Sequence, residues 1–578
     1  MDTVKTESGN SILIYFKPKE KKETLGIEGV LYIDNLSFAL TKAMAELKGM
    51  VNVKATQNYS YIKPSNIWFP QEMDLVLKKG DNKERISLFG GSVKFGESKK
   101  NDSIVSTKNK SEGDVVYFIS KATNSNIEIN TPIVVKSAAP TIQFNDDAAK
   151  KKENFWDEYR TDSITERGKN TYKVIDSIVK VEGENIEQKI NIGRNILNGI
   201  YPTKYINLNL GKILNFNNYE GFRIGFGGET NSNFSDTFKL ESYLAYGTKD
   251  TDFKYTLGTS FRLNKNTNTW IGANYTNDIK EAASLDFIAM NSSFSLLNLR
   301  NLNLSQFYNY KTVSALLKHD FRPNLEAEFQ LSTGDYNPLF NYQYISSNKN
   351  LSEYSLTTAI FGFQYNPKNE YMNSPIGKLR IKNEFPQFTF QFTKSFENVM
   401  NGDFNFTQVN FQAIHEIKRL QKATTSFFVE GGIVFGDAPI SHLFNSSPNA
   451  TFKNPWANRI NFVGKNSFET MGYNEFISDR FAAIHIKHEL KPFKIGSKFK
   501  PQLIFVTRAA IGDIDYQIYH NGLAFKSLKN GYLESGLELK SLFKGFGLST
   551  FYRYGFNRNA EWSDNLAVKI SYKISLGF

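Results

Sequence analysis

The chain contains no cysteine and only 16 prolines among 578 residues. Absence of cysteine excludes a disulfide framework, a thiolate metal site, a cysteine nucleophile and a lipoprotein acylation site, but it does not fix the redox compartment. Scarcity of proline suits extended sheet, where each proline removes a ladder donor. Long apolar runs are missing too. No stretch approaches the ~18 apolar residues that a spanning helix needs. With 40% apolar residues and a negative mean hydropathy, a bundle of transmembrane helices is excluded. A transmembrane barrel is not, because only alternate strand residues must face lipid.

Aromatic residues are abundant instead, with 49 Phe and 29 Tyr. They favour strands and the girdles at the two membrane interfaces of a barrel. The net charge of +12 raises the question of nucleic acid. The Lys and Arg residues are spread along the whole chain and alternate with apolar ones, which reads as a polar face and solvated loops. No nucleic-acid partner is expected. The first residues, Met1-Asp2-Thr3-Val4-Lys5, lack the apolar core of a signal peptide. Residues 12–17 already read as the middle of a strand, so the expectation is a chain that begins inside a longer precursor.

Three regions differ in pattern. Residues 1–145 hold short strand-like runs such as Gly29-Val30-Leu31-Tyr32-Ile33-Asp34 and Ile67-Trp68-Phe69-Pro70. Turn residues such as Lys79-Gly80-Asp81-Asn82 separate them, and a Ser, Asn and Lys-rich connector follows. Residues 146–202 show helical spacing through Phe155-Trp156, Tyr159, Tyr172, Ile175, Ile178 and Val179. Ser163 and Glu166 fit a capping box, and Leu197, Ile200 and Tyr201 read as a further helical turn before Pro202. From residue 203 to 578 the period is two. Phe253, Tyr255, Leu257, Thr259, Phe261 and Leu263 alternate with Lys254, Thr256, Gly258, Ser260 and Arg262. The same holds at Leu325–Leu331 and Phe388–Phe392. The last strand is the cleanest, with Leu566, Val568, Ile570, Tyr572, Ile574, Leu576 and Phe578 on one side. Successive strand side chains point to opposite faces, so each segment carries one apolar and one polar face.

Strands of about nine to thirteen residues match the ~9–11 of a tilted spanning strand. The opposite face carries Lys, Arg, Glu and Gln, as a wet or plugged lumen permits. The terminal Tyr572, Ile574, Leu576 and Phe578 resemble the signal that barrel-assembly machinery reads. The expected fold class is therefore mainly β: a C-terminal transmembrane antiparallel β-barrel of about sixteen strands, with fourteen as second choice. A small periplasmic β domain and a helical linker or plug precede it. Polar interruptions at about 277–302, 333–353 and 437–478 read as extracellular loops.

Several segments resemble the DUF5686 family of Bacteroidota outer-membrane proteins, which often carry an N-terminal carboxypeptidase-regulatory-like domain. The resemblance begins near Gly29–Asp34 and Ile67–Pro70 and runs through Phe155-Trp156, Tyr172–Ser177, Asn218-Tyr219-Glu220-Gly221-Phe222-Arg223 and Tyr243–Gly247. It continues at Gly432-Ile433-Val434-Phe435-Gly436 and Tyr473–Phe481, in order along most of the chain. It implies location and architecture, not a reaction. A weaker similarity links the chain to the barrel-insertase and two-partner-secretion superfamily. In that superfamily a late loop folds into the lumen, and an Arg near its tip pairs with an acidic wall residue. By that likeness Arg480, after the 437–478 loop, is expected to form a lumenal ion pair with Glu534 or Glu538, unless it merely opens the next strand at the water interface.

Enzymatic residues do not stand out. His485 and His488 are three apart on a strand, so they point to opposite faces and cannot share a metal. Asp437, Ser441 and His442 have the residue types of a hydrolase triad, but adjacent Ser and His rarely reach nucleophile–base geometry. No catalytic, metal or cofactor-binding residues are assigned. The expected function is a non-enzymatic outer-membrane component of protein biogenesis or export. A channel or uptake barrel, and a structural or adhesive surface protein, are the alternatives. Expected partners are outer-membrane lipid, barrel-assembly machinery and other envelope proteins.

Overall fold

The computed structural model describes residues 2–79 except 7–8, 19–26 and 49–50; 86–88, 93–95, 117–132 and 142–143; 151–178 except 152 and 161–162; and 199–572 except 290–299, 301–303, 305, 375–376, 383, 420–422, 452–460, 494–499 and 544. The chain divides into two units. One comprises Met1–Val135 with Lys150–Asn191, the other Lys136–Ala149 with Ile192–Phe578.

In the first unit seven strands form one antiparallel meander from Asp2–Thr6 to Tyr117–Thr123. The runs read from sequence at 29–34 and 67–70 lie in its strands Ile27–Asp34 and Ile67–Lys79. The same unit has helices Glu153–Tyr159 and Glu166–Ile178. The expected cap at Ser163 is displaced by two residues. Thr165 Oγ1 accepts from Gly168 N at 3.2 Å, so Thr165 satisfies an orphan donor of the first turn. The third expected helical turn is also wrong. Ile200–Pro202 is a strand paired with Asn207–Asn209, and Leu197 lies outside the described residues.

The second unit is built on a single large sheet. Two short segments, Ile206–Asn209 and Leu214–Asn217, both pair with the strand that follows and act as one interrupted strand, β1. Then come β2 (Gly221–Thr230), β3 (Phe238–Gly247), β4 (Phe253–Asn264) and β5 (Thr269–Glu281). β6 (Phe307–Arg322), β7 (Leu325–Pro338), β8 (Tyr354–Tyr365) and β9 (Gln387–Ser395) continue the order. β10 (Phe406–Lys418), β11 (Thr424–Gly436) and β12 (Arg480–Glu489) follow. β13 (Gln502–Asp513), β14 (Tyr532–Phe543), β15 (Phe546–Tyr554) and β16 (Leu566–Tyr572) end the sheet. Each of these strands pairs antiparallel with the next in sequence. Several strands outrun their expected ends, so the loops at 277 and 333 begin later, after Glu281 and Pro338.

The two faces of this sheet are inverted relative to a soluble protein. Every strand but β12 exposes large apolar side chains, among them Phe226, Leu244, Leu257 (65% exposed), Phe392, Phe505, Leu537 and Leu548. The opposite face buries polar ones: Lys254, Asp278, Thr389, Gln391, Gln408, Arg508, Glu534 and Lys569. Alternation along each strand produces both faces at once. On the polar side, Arg223 of β2 reaches Asp278 of β5 at 2.7 Å, and Tyr243 of β3 donates to the same carboxylate. No helix among the described residues is long and apolar enough to cross a membrane, which says nothing of strands.

Candidate functional site

The polar face of the sheet is not empty. The connection from β11 to β12 folds over it. Gly436, at φ 89°, turns the chain out of β11 where a side chain would meet the Asn405 carbonyl. Gly432, inside β11, leaves the room that the Phe444 ring occupies. Beyond this turn, Pro448–Ala450 and Phe468–Gly472 run parallel to each other, and all five residues of the second segment are buried. Between them, Asn461–Phe462 runs parallel to β16 at Lys569 and Ile570.

Four charged side chains fasten this loop to the wall. Arg508 of β13 donates to Glu534 of β14 at 2.6 Å. Glu534 also accepts from Glu469 N (3.2 Å), Thr470 N (2.6 Å) and Thr470 Oγ1 (2.6 Å). Glu469 in turn lies 3.8 Å from Arg508 and 3.4 Å from Lys569 of β16, and it accepts from Asn449, Gly464 and Ser467. Lys569 donates to the Asn449 carbonyl. The side chains of Arg508, Glu469 and Glu534 are fully buried and that of Lys569 is 1% exposed. Two cations face two anions, so the quartet is neutral. Burial of such groups is costly unless each is paired and hydrogen-bonded, and here loop backbone completes Glu534. The Arg508 guanidinium also lies 4.8 Å from the Phe551 ring. A second clamp joins Arg553 of β15 to Glu475 of the loop by two bonds of 2.8 and 3.0 Å.

Apolar packing backs the ion network. Phe444, Phe468, Met471, Phe476 and Ile477 of the loop join Tyr344, Phe404 and Leu528 in one buried cluster. Beneath the loop the inner face of β13 turns apolar, with Ile504 and Val506 against Phe551 and Val463.

The expected pairing of Arg480 with Glu534 or Glu538 does not occur. Arg480 stands at the start of β12 with its side chain 39% exposed, and it binds Asp479 (3.0 Å), Asp513 (3.3 Å) and Asp515 (2.7 Å). An arginine with access to water and three nearby carboxylates has no reason to enter the wall. Glu538 is paired with Lys487 at 3.8 Å and Lys540 at 3.2 Å. Relative to the expected scheme the loop's charge is reversed: the wall supplies the arginine and the loop the carboxylate. Sequence reasoning missed Arg508 and Glu469. The only available signal was Arg508 sharing the parity of Ile504, Val506 and Ala510, a charge inside an apolar row. Of the expected terminal signal, Tyr572 ends β16, whereas Ile574, Leu576 and Phe578 lie outside the described residues.

Ser441 and His442 come closer than expected for neighbours. Ser441 Oγ and His442 Nδ1 are 2.9 Å apart, and Tyr354 donates to Ser441 Oγ at 2.7 Å. Burial pushes His442 down to about 3, far from the operating pH that suits a general base. Among the described residues no carboxylate hydrogen-bonds to His442, so the orienting member of a triad is missing. His485 is buried and His488 is partly exposed, bound to Thr425 at 2.9 Å, as strand geometry required. Among the described residues no group of His, Asp or Glu is arranged to hold a metal.

These features define a large antiparallel sheet with an exposed apolar face and a loop-filled polar face. Residues 197–497, more than half of the chain, match the C-terminal domain of the DUF5686 family of unknown function. The chain belongs to that family. No curated protein matches it in sequence. Among solved structures it is similar to BamA from Haemophilus ducreyi lacking POTRA domains 1–3. The identity is 11% and the TM-score 0.39, over 61% of this chain and 67% of that one. It is also similar to CdiB from Acinetobacter baumannii, at 10% identity and TM-score 0.32, over 61% and 56% of the two chains. Neither likeness is close enough to carry a functional argument.

Proposed function

We propose that the chain is an outer-membrane β-barrel with a stoppered lumen, serving the biogenesis or export of envelope proteins rather than open diffusion. The observation that carries this reading is the inversion of the sheet: apolar side chains exposed, a charged network buried. In water such a surface would aggregate. Around it a bilayer makes the apolar face favourable, and closure removes the edges that lipid cannot satisfy.

The proposed barrel has sixteen strands. The sheet has nineteen segments; setting aside Ile200–Pro202 and Asn461–Phe462 and joining the two halves of β1 leaves 19 − 3 = 16. Bacterial single-chain barrels use even numbers. In this scheme residues 1–145 form a periplasmic β region, 146–202 a helical linker and 203–578 the barrel. Outer-membrane lipid surrounds it, and the end of the chain, Tyr572 to Phe578, is the signal for the assembly machinery. A stopper fixed by buried ion pairs favours a role in handling envelope proteins. An uptake barrel is the second reading, favoured by a cavity of about 260 Å³ on the polar face, lined by residues that include Tyr308, Tyr336 and His442.

Two measurements test the proposal. Replacing residues 449–472 by a short Gly-Ser linker is expected to convert a nearly silent protein into one with steady conductance in planar bilayers. Large conductance of the unaltered protein would overturn the stoppered lumen. Depletion in the native host is expected to lower the levels of other outer-membrane proteins in quantitative proteomics. An unchanged proteome would sink the biogenesis role.

A further inference from the structure

Two hairpins of the first unit turn at the same end of its sheet. One joins Ile27–Asp34 to Leu40–Leu47 through residues 35–39, and the other joins Val51–Ile62 to Ile67–Lys79 through residues 63–66. The first turn is tightly built. The Asp34 carboxylate accepts from Ser37 N at 2.8 Å and from Ser37 Oγ at 2.6 Å. Phe38 N donates to the Asp34 carbonyl at 3.0 Å, and Asp34 N to the Ala39 carbonyl at 2.9 Å. The backbone at Phe38 lies at φ 55°, a left-handed conformation that is rare for a bulky residue and persists only where its surroundings impose it. The turn holds two large apolar side chains outward, Leu36 at 89% and Phe38 at 74% exposure. In the second turn Asn66 is also left-handed, and it accepts from the Tyr61 hydroxyl. Tyr61 and Ile67 are exposed there, and the Tyr61 ring packs on Trp68 with centroids 5.5 Å apart.

A single exposed apolar side chain needs no explanation. Four of them on two neighbouring turns, fixed by hydrogen bonds, do. The chemistry of the tips selects among partners. Residues 34–41 and 61–68 contain one acidic and one basic side chain, Asp34 and Lys63, and Asp34 is buried in its own turn. Charge therefore offers little steering towards nucleic acid or a charged protein. Four side chains on projecting tips are also far fewer than the ~20–30 residues a side of a stable protein interface. A lipid surface needs no matching pocket. It takes Leu and Phe among its acyl chains, and Tyr and Trp at the level of its headgroups.

We propose that these two tips form a membrane-docking surface that inserts into a phospholipid bilayer, with Leu36 and Phe38 deepest and Tyr61 and Trp68 at the interface. The proposal does not depend on the sheet of the second unit being a barrel.

The test uses the full chain reconstituted with vesicles of phosphatidylethanolamine and phosphatidylglycerol. With no native cysteine, an environment-sensitive fluorophore is placed at Leu36→Cys, Phe38→Cys or Lys48→Cys, one at a time. Lys48 follows Leu47, at the opposite end of the sheet. Blue-shifted emission and strong quenching by nitroxide-bearing phospholipid are expected at 36 and 38, and neither at 48. A further label at Ile67→Cys is compared with and without the pair Leu36→Ser and Phe38→Asn. Asparagine tolerates the left-handed backbone, so the turn is kept while its apolar groups are removed. Quenching at 67 is expected in the native background and is expected to be lost in the double variant. Circular dichroism reports whether that variant keeps its sheet; if it does not, the labels at 36 and 38 decide. Unshifted emission at 36 and 38 means that the tips stay in water, and a blue shift without nitroxide quenching means that they sit in protein. Either result overturns the proposal, as does equal quenching at 48, or quenching at 67 unchanged in the folded variant.

Discussion

Glu534→Leu is expected to destabilise the folded protein by about 3–5 kcal/mol, the cost of breaking a buried ion pair by removing one partner. The fold-wide reason is that Glu534 accepts from both sides. Arg508 reaches it from the wall, and three donors reach it from the loop. Without it the guanidinium is left in a buried site, with Glu469 at 3.8 Å as its remaining carboxylate. Equilibrium unfolding by urea in bilayers, followed by tryptophan fluorescence, measures the loss. The paired replacement Arg508→Met with Glu534→Leu is expected to recover most of it, since an apolar pair of similar volume is often neutral or stabilising. A loss below about 1 kcal/mol for Glu534→Leu, the range of exposed ion pairs, would mean that water reaches the quartet.

Leu257→Arg carries the second large effect. Leu257 sits at the middle of β4, opposite Ser242 and Tyr275 of the neighbouring strands, on the exposed apolar face. Arginine at the bilayer midplane of a barrel costs about 2–4 kcal/mol, falling to ~0–1 near the interfaces. Leu263→Arg, at the end of the same strand and on the same face, is therefore expected to cost little. The same unfolding assay reads both. If the apolar face met water instead, both substitutions would be close to neutral, as surface changes usually are.

The two-faced character of the sheet was legible because one physical rule, alternation with period two, sets both faces of every strand. It read correctly at Phe253–Leu263, where Lys254 is buried and Leu257 exposed. It held again at Phe390 and Phe392 against Thr389 and Gln391. The loop contacts were not legible. Glu469 and Glu534 are 65 positions apart, and nothing local in either segment announces the other. Arg480 was singled out because it follows the loop in sequence, yet three aspartates at the rim hold it there. The alternation rule also fails under the loop, where Ile504 and Val506 face inward because loop side chains, not water, cover them. The helix start shifted from Ser163 to Thr165 because either hydroxyl can accept at an N-cap; only Ser163 has a Glu three residues on, yet backbone geometry places Thr165 at the cap.

The central claim is that the apolar face of the sheet meets lipid and the polar face does not. The absence of native cysteine allows single cysteines to be labelled one at a time. With fluorophores at positions 257, 505 and 548 on one face and 256, 506 and 549 on the other, quenching by lipid-borne nitroxide tests it directly. Strong quenching at the first three positions and weak quenching at the second three is the expected result. Equal quenching on both faces, or none at Leu257, Phe505 and Leu548, would contradict the account.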